Sequence, residues 1–145
     1  MTDESTYAIL NHLVTLHSKS LAMYLSYARP WAIAANPKAM AVLEQMVEDQ
    51  QRTIDRLAGI ILEMGPVDNG EFPIFFTGYH DLSVEWLVSK LIERQQKTIA
   101  IIENIIGKLA MAPYAQAVAK EVLGEAKGHL ENLQEVAADL TAAAV

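Results

Sequence analysis

Apolar residues recur three and four positions apart over four long stretches of this chain, the period of a helix that turns one face inward. In the first, Leu10, Val14, His17, Leu21, Tyr24 and Ala28 make one stripe, apolar except for the imidazole at its middle. Leu43, Val47, Ile54 and Ile61 mark the second. Val84, Val88, Leu91, Ile102, Ile106 and Leu109 mark the third. The fourth carries Ala115, Val118, Val122, Ala126, His129, Leu133, Val136 and Leu140. The pattern predicts an all-α domain of four helices of about 27 to 30 residues, each ~40 Å long.

Local signals bound these helices. The first is expected to start within Thr2 to Ser5, where Thr2, Asp3 and Ser5 are usable caps, and to end at Arg29, because Pro30 pushes its predecessor out of helical geometry. Asn36 as cap and Pro37 at the first helical position start the second, which runs to Met64 and stops at Gly65-Pro66. Ser83 or Asp81 caps the third, which ends at Leu109. The fourth begins near Pro113 after the short link Ala110 to Ala112. Gly124 and Gly128 lie off its stripe, weaken it by ~1 kcal/mol each relative to alanine and leave space for a close neighbour.

Short links make the first and second helices, and the third and fourth, antiparallel pairs. The middle link, residues 65 to 82, is longer than most connections in a compact domain, and its centre carries Phe72, Ile74, Phe75 and Phe76. Extended, it reaches ~59 Å, enough to cross the bundle lengthwise and set the third helix parallel to the second. Counted along the helices, that crossover brings His17, Gln51, Gln95 and His129 to one level near mid-height. Glu93 then falls on the polar face of the third helix, and Glu48 on the flank of the second stripe.

Composition narrows the possibilities. With 145 residues the chain is expected to be a single domain with its own core. It has no cysteine, which excludes disulfides and thiolate metal sites. A net charge of −7, with no lysine or arginine before Lys19, argues against a nucleic-acid partner. The opening MTDEST lacks the basic-then-apolar character of a secretory signal, and no apolar run approaches the ~18 residues of a membrane span. A cytoplasmic protein is expected. The second helix carries more apolar residues than one seam uses, among them Met40, Met46, Leu57, Ile60 and Met64. With the FPIFF segment, they predict a homodimer across the second helix and the crossover.

Leu10-Asn11, the position of His17, Tyr24 and then Ala28-Arg29 resemble the first helix of bacterioferritins and related ferritin-like di-iron proteins, and the resemblance spans nearly the whole chain. Those proteins hold two irons with one glutamate from each of two helices and a Glu-x-x-His from each of the other two. Here His17 replaces the first glutamate. The second-helix motif reads Glu48-x-x-Gln51 ahead of Leu62-Glu63-Met64-Gly65-Pro66. The third-helix position falls on Glu93, and the fourth-helix motif reads Ala126-x-x-His129. The resemblance implies a ferritin-like bundle with a long crossover and a degenerate metal site at His17, Glu48, Gln51, Glu93 and His129. Such a site would bind iron or another divalent ion for oxidation or sequestration. Similarity to the Dps miniferritins is weaker: Asp55 fits, but Gly59 stands at a glutamate position. The residues themselves leave an alternative open, a metal-free dimeric bundle with a His/Gln core layer that acts as a structural or interaction protein.

Overall fold

The helix ends follow the local chemistry closely. In the computed structural model, which describes residues 2–67 and 70–143 with side chains from Thr6 onward, the elements are α1 (Thr2–Ser18), α2 (Leu21–Ala28), α3 (Trp31–Ala34), α4 (Pro37–Ile61), α5 (Val84–Lys108) and α6 (Pro113–Ala143). A 3₁₀ helix spans Ile74–Tyr79. Among the described residues there is no strand, so the fold is all-α. The side chain of Asn36 accepts from the Ala39 amide at 3.0 Å, and Pro37 follows it. Ser83 caps α5 by accepting from the Trp86 amide at 3.2 Å. No described helix is long and apolar enough to cross a membrane.

Two expected helices differ in detail. The first is broken: the chain leaves helical hydrogen bonding after Ser18 and restarts at Ser20, whose hydroxyl accepts from the Met23 amide at 3.0 Å. A serine that can cap competes with helix continuation, and here the cap wins. The second pairs regularly only to Ile61 and unwinds through Met64 and Gly65, whose amides both return to the Ile61 carbonyl. At Gly65 any Cβ would come within 3.0 Å of the Tyr7 ring, and the Tyr7 hydroxyl donates to the Pro66 carbonyl at 2.6 Å. That close approach fixes the start of α1 against the end of α4. Gly124 and Gly128 do not serve as expected, because a Cβ at either would meet nothing within 4 Å.

Two apolar clusters form the core. One joins Leu21 and Leu25 of α2, Ile33 of α3, Met40, Leu43 and Met46 of α4, Leu87, Val88 and Leu91 of α5, and Leu133 and Val136 of α6. The other joins Leu10 and Leu13 of α1, Leu57 and Ile61 of α4, Ile102 and Ile105 of α5, and Val118 and Val122 of α6. The first half of α4 therefore shares a cluster with the first half of α5, and their second halves share the other. These two helices run in the same sense, while α1 and α6 run against them.

The connector reaches this arrangement through aromatic packing. Phe76 is fully buried in the first cluster, with Tyr24 at 5.5 Å and Tyr79 at 5.7 Å between ring centroids. The Tyr24 hydroxyl and His80 Nε2 hydrogen-bond at 2.6 Å, which pins the segment to α2. Phe72 packs partly buried against Tyr24, whereas Ile74 and Phe75 stay exposed. Asp68 and Asn69 of the connector lie outside the described residues.

Candidate functional site

Each long helix stripe is interrupted at the same height, between the two clusters. His17 sits between Val14 and Leu21, Gln50 and Thr53 between Met46 and Leu57, Gln95 between Leu91 and Ile99, and His129 between Ala126 and Leu133. All of these polar residues are buried. A residue that must be polar inside a core has to find partners there, and most of the layer does.

The last turn of α1 supplies the partner for His17: its Nδ1 lies 2.8 Å from the Leu13 carbonyl. A carbonyl only accepts, so Nδ1 carries the proton and Nε2 presents its lone pair to the layer. Burial pushes the His17 pKa below 6.5, opposed by the Leu13 carbonyl and helped by the neighbouring His129, so the ring is neutral at physiological pH. From α6, His129 donates from Nε2 to Asp49 Oδ2 at 2.7 Å. Burial alone would raise the Asp49 pKa. The hydrogen bond and charge of His129, with further bonds from Gln45 and Arg52, outweigh it and hold Asp49 below its ordinary value.

Arg52 closes the layer at its outer edge. Its guanidinium pairs with Asp49 and reaches Glu125 Oε2 at 3.8 Å and Glu48 Oε1 at 3.7 Å. Thr53 Oγ1 donates to Glu125 Oε1 at 3.3 Å, and Gln95 Nε2 donates to the Ala126 carbonyl at 3.0 Å. Ser20 donates to Gln50 Oε1 at 2.8 Å, which ties the α1–α2 break to α4. The cavity left among His17, Gln50, Gln95, Glu125 and His129 is about 10 Å³, at most the size of one water.

Of the residues expected to ligate a metal, the structure brings His17 and His129 together and turns the other three away. Glu48 is exposed and reaches only Arg52, at 3.7 Å, among the ion pairs of the described residues. Gln51 is exposed and bonds to Asp55 at 3.1 Å. Glu93 is exposed between Lys90 at 3.2 Å and Lys97 at 3.3 Å, whose hydrogen bonds lower its pKa. The reason is rotational: each residue advances the helix by about 100°, so Gln50 and Gln51 cannot both face in. The buried stripe of α4 is Leu43, Met46, Gln50, Thr53, Leu57 and Ile61, with Val47 and Ile54 on its flanks.

Asp49, Gln50 and Thr53 are the layer members that sequence reasoning passed over. The spacing 43, 46, 50, 53, 57 carries a helical period, but two of its members are polar and vanish from a purely apolar count. A di-iron centre needs carboxylates converging between the imidazoles. The two carboxylates near them, Asp49 and Glu125, already face a fixed cation, so the residues present do not fit that centre. Among the described residues no group of three or more histidine, aspartate or glutamate side chains is gathered as a metal site. The chain matches no family model, no curated protein and no solved structure.

Proposed function

We propose that this chain is a ferritin-like four-helix bundle, its first helix broken into α1 and α2, whose mid-height layer works without a metal and whose role is that of an interaction protein. The shared sense of α4 and α5, with residues 62 to 83 crossing between them, supports the ferritin-like reading. The observation that carries the functional part is the Arg52 guanidinium set across Asp49 and Glu125. It supplies the positive charge that a metal ion would supply in a ferritin-like centre, and it leaves the layer electrostatically closed. A buried polar layer of this kind penalises shifted helix pairings, because any slip strands its members without partners.

The interacting surface is proposed on the second long helix, α4, and the crossover, as a homodimer contact. Ile74 and Phe75 of the crossover remain exposed, and so does Met64 just beyond the end of α4. Most of the apolar arc of α4 is used internally: Met40, Leu43, Met46, Leu57 and Ile61 are all buried within one copy. The contact therefore rests mainly on the connector.

The test is elemental analysis of protein purified without chelator, with iron, manganese and zinc titrated into wild type, His17→Ala and His129→Ala. Equal and substoichiometric metal in all three supports the metal-free reading. A stoichiometric divalent ion lost from both variants overturns it in favour of metal binding. Light scattering at micromolar concentration tests the dimer, and a monomer mass refutes that part.

A further inference from the structure

We infer that the break between α1 and α2 opens a binding pocket for a small organic monocarboxylate, a site independent of the layer's metal content. The pocket has a volume of about 210 Å³. It lies between the break, α5 and the connector, and reaches inward to Gln50 and Gln95. At about 30 Å³ per water it holds roughly seven waters, room for an acid of about four to six carbons.

Three features fit a carboxylate. First, Lys19 and Arg94 line the pocket, and among the described residues neither lies within ion-pair distance of a carboxylate. Both cations are held by aromatic faces of the connector, Lys19 Nζ 5.0 Å from the Phe72 centroid and Arg94 Cζ 4.9 Å from that of Phe76. Second, Leu21 and Ala22 line the pocket in the first turn of α2, where backbone N–H groups have no carbonyl of their own helix to reach. Third, two deeply buried amides each leave one end open. Gln50 is 5 % exposed and uses only Oε1, and Gln95 is 6 % exposed and uses only Nε2. No fully enclosed side-chain nitrogen or oxygen among the described residues lacks a partner, so these two free ends keep some exposure, to the pocket or to the small layer cavity that both residues also line.

The remaining chemistry selects the class. Met46, Leu91 and Leu21 give the interior an apolar wall, which suits the body of an organic acid better than a bare inorganic anion. Glu71 stands in the same lining, so Lys19, Arg94 and Glu71 together carry one net positive charge, a match for a monoanion.

The experiment is a titration of ¹⁵N-labelled full-length protein with sodium butyrate, against sodium chloride at equal ionic strength. The expected result is a saturable shift of the Ser20, Leu21 and Ala22 amides and of the Gln50 and Gln95 side-chain amides. Lys19→Met and Arg94→Met each weaken it about tenfold or more, as loss of one charge-assisted contact does, while Lys97→Met on the outer face of α5 leaves it unchanged. Should a cation variant fail to fold, Thr98→Leu narrows the same pocket without touching a charge and must weaken binding likewise. No saturable shift, identical shifts with chloride, or equal affinity in Lys19→Met and Lys97→Met overturns the site. The same shifts with phosphate overturn the assignment to an organic carboxylate.

Discussion

Replacing His17 by leucine isolates what a neutral imidazole costs inside this core. His17 is 5 % exposed, and its pKa is lowered from 6.5, chiefly by burial. Below that value the unfolded chain takes up a proton that the folded ring refuses. The unfolded state then binds more protons, so stability rises with pH through this window and is lost on acidification. The loss is about 1.4 kcal/mol at about pH 5.5, one unit below the unfolded value, provided the folded ring is still neutral there. His17→Leu gives up one hydrogen bond to the Leu13 carbonyl, worth about 1 kcal/mol, and gains apolar burial of similar size, so near pH 7.5 the two proteins should be about equally stable. Near pH 5.5 the variant should be the more stable by about 1 kcal/mol or more. Urea denaturation of both proteins at the two pH values reads this directly, because the comparison cancels whatever the two proteins share. A stability difference that does not change between the two pH values would refute the claim that His17 is held neutral by its surroundings.

Three further outcomes follow from the same contacts. Asp49→Asn weakens the acceptor that His129 and Arg52 share and should cost about 1–3 kcal/mol in chemical denaturation, whereas Glu93→Gln, which breaks only exposed pairs with Lys90 and Lys97, should leave the unfolding midpoint close to that of wild type. Ser20→Ala removes both the α2 cap and the bond to Gln50 and should lower stability by about 1–2 kcal/mol, with faster amide exchange at Met23. Phe76→Ala empties the fully buried centre of the connector and should cost about 3–5 kcal/mol in thermal or urea unfolding.

Where reasoning from the chain went astray, the causes are specific. Placing Gln51 rather than Gln50 in the layer counted depth along α4 and left out its rotation. One residue changes the facing by about 100°, which is the difference between core and solvent. The break after Ser18 was open to inspection in Ser18-Lys19-Ser20, yet a serine capable of capping is equally at home on the surface of a continuous helix.

The amino-acid order by itself determined the helical periods, the starts at Pro37, Val84 and Pro113, and how far along each helix its stripe turns polar. These depend on neighbours within about four residues and on a fixed rise per residue, so they can be counted. Only the tertiary structure decided that His129 meets Asp49, that Arg52 sits across Asp49 and Glu125, and that Gln50 is reached by Ser20. Those contacts join residues far apart in the chain. They depend on how each helix is turned about its own axis and on how far a side chain reaches, quantities that packing of the two clusters sets and local spacing does not.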